Sequence, residues 1–137
     1  MPLEFIDTNV FIRYLTDDHP DHSALSLKFL QEIEAGNRTA AICEAVLVEI
    51  VQVLSSKALY GYPRQAIRES VSDLIGLRGL RLPHKRTYLR ALDLYASTNV
   101  DFVDAICVSH MERSAIATIV SFDREFDHFQ GITRREP

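Results

Sequence analysis

An α/β fold, with a mostly parallel sheet of about five strands covered on both faces by helices, follows from three observations. Short apolar segments alternate along the chain with longer ones whose apolar residues recur at i, i+3, i+4 and i+7. Gly, Pro and Asn punctuate the joints between them. The 137 residues form one domain, 1–137, long enough for a real core and too short for two ordinary ones.

Leu3, Phe5 and Ile6 read as a short buried strand, and Asp7 follows at once. Thr8 and Asn9 offer capping side chains before Val10, Phe11, Tyr14 and Leu15 take up helical spacing. Asp7 therefore ends a strand and precedes a helix, at the edge where ligands collect in open parallel sheets. A plain cap or turn role is the alternative, and the other acids must decide. Pro20 starts a second helix, with Leu25, Phe29, Leu30 and Ile33 in period, which Gly36-Asn37 ends. His19 and His22 beside it read as surface histidines, because nothing nearby completes a metal ligand set.

Residues 39–43 read as a second strand and residues 44–56 as a helix with a stripe of Leu47, Ile50, Val51, Leu54 and Ala58. Glu49 lies off that stripe, so periodicity alone makes it a solvated residue. Val46 and Val53 bring apolar surface up to it, and a carboxylate on a covered helix needs a reason. A turn at 60–63 leads to a helix over 64–77 that faces Ile67, Val71, Leu74 and Ile75 inward and stops at Gly79. Leu80 to Pro83 is a brief edge-like strand, and a helix from Lys85 carries Leu89, Leu92, Tyr95 and Ala96 inward. Arg78, Arg81, Lys85, Arg86 and Arg90 form a basic run with no acid between Asp73 and Asp93. Such a run meets phosphates or is the solvated face of a helix and its loop.

Asp101 to Val108 opens the next helix. Asp104, Cys107, Val108 and Met111 stand at i, i+3, i+4 and i+7, so Asp104 shares the core-facing stripe. Asp104 is also in the first turn, where the helix dipole favours an anion. Asp101, three residues before it, reads as the N-cap of a capping-box-like start. Residues 117–121 are the last clear buried strand, and Asp123 then repeats the Asp7 arrangement of strand, acid and helical turn. Residues 132–135 make a final edge strand.

Bulk properties are those of an ordinary globular chain: 47% hydrophobic, 25% charged, net charge −4. That balance does not advertise a basic nucleic-acid surface. Cys43 and Cys107 lie in apolar surroundings and read as reduced core residues of a cytoplasmic protein. There is no Cys/His zinc spacing, no signal peptide and no apolar run long enough to span a membrane.

Strand ends and the helix starts that follow them share one edge of a parallel sheet. Asp7, Glu49, Asp104 and Asp123 would therefore converge there. Four such carboxylates repel one another, and Mg²⁺ or Mn²⁺ removes that problem through carboxylate oxygens and water. Metal-assisted displacement at phosphorus is the chemistry such a set supports. No Ser-His-Asp set, cysteine nucleophile or glycine-rich phosphate loop competes with it.

The order D-T-N-V-F-I-R-Y-L, A-V-L-V-E-I-V-Q-V-L, D-F-V-D-A-I, S-F-D-R-E-F resembles the PIN domain family, and within it the VapC-type toxin ribonucleases. The resemblance runs from about Leu3 to Gly131. It implies a three-layer α/β/α domain and puts the family's acidic quartet on Asp7, Glu49, Asp104 and Asp123. Asp7 and Asp104 would be the main metal ligands. Thr8, Asn9 and Ser121 match polar positions that support the site, with Ser121 where the family often has Thr. Asp101 matches a commonly acidic position. The resemblance further implies Mg²⁺- or Mn²⁺-dependent cleavage of RNA, a homodimer, and a cognate antitoxin that blocks the site. Arg81, Lys85, Arg86 and Arg90 become candidate contacts to the RNA backbone. Two other readings stay open: an Asp7-nucleophile phosphotransfer protein, and a degenerate PIN module that binds RNA or protein without catalysis.

Overall fold

The computed structural model describes residues 2–137. Through Lys85 the chain forms one compact unit, and Arg86 to Pro137 form another. The first unit runs β1 (Glu4–Phe5), α1 (Thr8–Leu15), α2 (Pro20–Glu34), β2 (Ala40–Ala41), α3 (Glu44–Ser55), α4 (Arg64–Ile75) and β3 (Leu80–Arg81). Two helices separate each strand from the next, which gives the chain the length to return for a parallel pairing. The strands accordingly pair in the order β1-β2-β3, all parallel, with Phe5 opposite Ala41 and Ala41 opposite Arg81. α1 packs on α2 and α3, and α3 packs on α4. Phe11, Ile33, Leu47, Ile50, Leu54 and Ile67 are fully buried there. Burying each such side chain is worth roughly 1.5–3 kcal/mol.

The second unit takes α5 (Lys85–Ser97), α6 (Phe102–Arg113), β4 (Thr118–Val120), a 3-10 turn (Arg124–His128) and β5 (Thr133–Arg135). β4 and β5 pair parallel, with Ile119 opposite Arg134. α5 and α6 are joined by Tyr95 edge-on to Phe102, ring centres 5.7 Å apart, and by Arg90 forked onto Glu112 at 3.1 and 3.4 Å. The mixed α/β class with parallel pairing agrees with the sequence expectation, although the five strands fall into one sheet of three and one of two rather than a single sheet.

Several local expectations need correction. β1 and β4 are not buried strands: Phe5 is 63% exposed and Val120 54%, and of the β1 segment only Ile6 is covered. β1 sits at the edge of its sheet, so composition told its conformation and not its cover. α3 ends at Ser55, and Ala58 falls in an exposed turn off the stripe. α4 ends at Ile75 with Gly76 as its C-cap, so Gly79 does not stop it. A Cβ on Gly79 would lie 2.6 Å from the Ile33 carbonyl oxygen and closer still to that of Arg38. Gly79 is therefore a close-approach glycine: its N–H donates to Ile33 O at 3.0 Å, and its own carbonyl accepts from Ala40 N. Cys43 and Cys107 are exposed rather than core residues, and neither is in a disulfide.

Candidate active site

Asp7 occupies extended backbone (φ −77°, ψ 153°) as the N-cap of α1, and its Oδ1 accepts from Thr8 N at 2.9 Å. Asp123 repeats this after β4: φ −79°, ψ 112°, N-cap of the 3-10 turn, Oδ1 accepting from Glu125 N at 2.9 Å. Capping and function do not compete here. Each cap uses one carboxylate oxygen, and among the described residues the other oxygen of Asp7 and of Asp123 has no hydrogen-bond partner. The cap fixes the carboxylate where a strand delivers it, while the second oxygen stays available to a ligand.

Ser121 supports Asp123 through the backbone. Its hydroxyl accepts from Asp123 N at 2.9 Å, and its own N–H donates to Arg135 O across the β4–β5 pair. Thr8, the first residue of α1, is 5% exposed, while Asn9 on the same first turn is exposed. Glu49 is exposed in mid-α3 beside buried Val46 and Ile50, the edge-of-stripe position that periodicity indicated.

Asp104 lies in the first turn of α6, and its stripe is only partly inward. Val108 and Met111 are buried, Asp104 is half-buried and Cys107 is exposed. The buried face of α6 is built from Phe102, Ala105, Ile106, Val108 and Ser109, which leaves Asp104 at its rim. Burial raises its carboxyl above the ordinary carboxylate value, and the neighbouring charges of Asp123, Asp101 and Glu125 raise it further. Asp101 is the N-cap of α6 by position, but its exposed side chain makes no capping hydrogen bond, so the capping-box expectation fails. Its carboxylate is left for the acidic group instead. Glu125 belongs to that group and escaped the sequence reading. Its signal was present: it stands two residues after Asp123, in the same helical first turn.

The second unit thus brings Asp101, Asp123 and Glu125 within electrostatic reach of Asp104, while Asp7 and Glu49 belong to the first unit. Among the described residues, no three His, Cys, Asp or Glu side chains stand at metal-binding spacing. The donor chemistry still fits a hard divalent ion. Every candidate ligand is a carboxylate, the acids crowd Asp104, and Mg²⁺ commonly takes only one or two carboxylates and fills its shell with water.

The basic run is divided in its engagements. Lys85 is partly buried, its ammonium donates to Leu77 O at 3.3 Å, and burial lowers its pKa. Arg90 is held by Glu112. Arg81 and Arg86 are exposed.

Residues 5–132 match the PIN domain family. The chain belongs to that family. It is also 23% identical, over 124 residues covering 90% of each protein, to a VapC ribonuclease of Aquifex aeolicus (strain VF5). The segment that matches the PIN domain contains every candidate site residue, from Asp7 to Asp123. Among the described residues no helix is long and apolar enough to cross a membrane.

Proposed function

We propose that this PIN domain is a metal-dependent endoribonuclease, the toxin of a toxin–antitoxin pair. Membership of the family and the similarity to a VapC ribonuclease support the nuclease class. What supports the residue assignment is the setting of Asp104, half-buried at the rim of α6, where burial and then the charges of Asp123, Asp101 and Glu125 raise its carboxyl pKa. Asp104 and Asp7 are assigned as principal ligands of Mg²⁺ or Mn²⁺, with Asp123 and Glu49 as further ligands or acceptors for a water proton. Such an ion, when bound, makes water more acidic and offsets charge on the scissile phosphate. The chain's own residues do the rest. The Thr8 and Glu125 N–H groups fix the carboxylates of Asp7 and Asp123, the Ser121 hydroxyl holds the Asp123 backbone, and Asp101 adds negative charge that favours a cation. Arg81 and Arg86, with Lys85 and Arg90, are assigned to the RNA backbone.

A homodimer, a cytoplasmic location and a cognate antitoxin belong to the same reading, and rest on the family resemblance. The test is cleavage of single-stranded RNA by purified protein with Mg²⁺, with Mn²⁺ and with EDTA, beside the D104N variant. Cleavage that persists in EDTA, or at the wild-type rate in D104N, refutes it.

A further inference from the structure

A pocket of about 270 Å³ lies between α1 and α2, lined by Asn9, Val10, Arg13, His22, Leu25 and Ser26. Its polar walls are two pairs at i, i+4 spacing, Asn9 with Arg13 on one helix and His22 with Ser26 on the other. Residues so spaced share a helix face, so two facing helices aim four hydrogen-bonding side chains into one space. Val10 and Leu25 form its apolar sides. No acid lines it, and Arg13 supplies a fixed positive charge. The larger groove between α2 and α4 has the opposite character, lined by Glu34 and Asp73.

Ser26 adds a hydroxyl to the lining of the α1–α2 pocket. It is 7% exposed, and among the described residues its hydroxyl has no hydrogen-bond partner. Hydroxyls buried in helices usually bond back to the carbonyl four residues earlier. Ser109 does so inside α6 at 2.8 Å, and Thr16 and Thr98, just past the ends of α1 and α5, do the same at 2.7 and 2.6 Å. Ser26 does not, and it lines the pocket instead. His22 is held by stacking on His19, ring centres 3.6 Å apart. Arg13 gives one terminal nitrogen to Asp18 at 3.3 Å, which leaves the rest of its guanidinium fork available.

We propose that Asn9, Arg13, His22 and Ser26 form a subsite for one phosphate of the RNA backbone, close to the scissile position. A guanidinium fork, an imidazole, an amide and a hydroxyl are a donor set suited to phosphate oxygens. The volume is small for a drug-sized ligand and suits a single phosphodiester rather than a whole nucleotide. Along the α1 axis Asn9 and Arg13 stand roughly 3 and 9 Å from Asp7, within a nucleotide step or two of it. The inference rests on the ribonuclease reading above.

The test uses the full chain and a labelled single-stranded RNA oligonucleotide. Replacing Arg13 with Gln should raise KM roughly tenfold with little change in kcat. It should also flatten the slope of log Kd against log salt by about 0.7, the loss of one single-strand phosphate contact. Replacing Ser26 with Ala should weaken binding without changing that slope. Asp18→Asn breaks the same ion pair and leaves the Arg13 charge in place, so it should keep wild-type affinity and slope. Wild-type protein that cleaves RNA beside an R13Q variant with unchanged KM and slope overturns the subsite alone. D18N weakening RNA binding as much as R13Q overturns it as well, since the effect would then come from helix packing. Wild-type protein that does not cleave RNA overturns the ribonuclease reading and the subsite with it.

Discussion

Asp104 separates what spacing along a chain reveals about a residue from what its surroundings decide. Its place in a helical first turn was legible in the sequence, because helical spacing and an acid three residues after Asp101 leave few alternatives. Its environment was not. Its stripe pointed to the core, whereas it lies half-buried at the rim of the α6 core, with the charges of three acids added to its burial. Periodicity reports a direction around one helix and says nothing of what stands opposite. The consequence is testable. Neutralising Asp104 to Asn should reduce RNA cleavage ~100-fold or more, the scale of removing one preorganised charge-stabilising group. The same change should raise the melting temperature in EDTA, since an anion that its neighbours disfavour is gone. A D104N protein that melts lower than wild type in EDTA would contradict the repulsion argument even if activity were lost. Asn at positions 7 and 123 should abolish cleavage while leaving α1 and the 3-10 turn intact, because Asn caps helices as well as Asp does. Circular dichroism and melting curves check that separation of roles.

At the scale of elements, two contacts hold the first unit in register, and neither was visible in the sequence. Gly79 looked like a helix stop, yet its missing side chain is what lets the start of β3 pass the Ile33 and Arg38 carbonyls. Gly79→Ala should therefore cost about 1–3 kcal/mol, as overpacking does, and lower the denaturant midpoint accordingly. The Asp18 carboxylate joins the α1–α2 turn to the α3–α4 loop. It accepts from Tyr60 Oη at 2.5 Å and Thr16 Oγ1 at 2.9 Å, and pairs with Arg13. The Tyr60 bond, then Thr16, holds its carboxyl below the ordinary value of 3.8, and the same bond raises the Tyr60 phenol above 10.0. A depressed carboxyl contributes stability that is present above its unfolded pKa and is lost as pH falls through its folded one. Wild type should melt slightly above D18N at pH 7, by a small margin because the group is exposed, and that margin should close below pH 3.8. A margin that persisted at pH 2 would mean the carboxylate is not its source. Element identities were largely legible, because the chain alternates two periods cleanly. Burial was not, since a strand two residues long, such as β1, carries no periodicity from which to read its covered face.

For the whole molecule, the sequence offered four acids in an order, and an order of motifs is enough to reach the PIN family. It is not enough to give distances, which depend on how each strand end is capped, and only Asp123, Asp101 and Glu125 have been tied to Asp104 by their fields. The chemistry that follows from an all-carboxylate set can be checked in the products of the reaction. Ribonucleases that use the neighbouring 2′-hydroxyl as nucleophile need a paired acid and base, usually His or Lys, and leave cyclic phosphates. Here Lys85 donates to the Leu77 carbonyl, and His110 stands in the last turn of α6, nearly two turns beyond Asp104, with its ring edge-on to Tyr88. No His or Lys is among the groups that press on Asp104. Carboxylates can hold a water and take its proton, so water is the nucleophile this set supports. Cleavage should leave a 5′-phosphate and a 3′-hydroxyl, stop in EDTA, and return with Mg²⁺ or Mn²⁺ in preference to Ca²⁺, whose looser coordination positions ligands less strictly. A single 2′-deoxy substitution at the scissile nucleotide should leave the chemical step intact and alter binding at most. Mass spectrometry of the fragments reads the ends directly, and 2′,3′-cyclic phosphates formed undiminished in EDTA would overturn the carboxylate assignment at every one of the four positions.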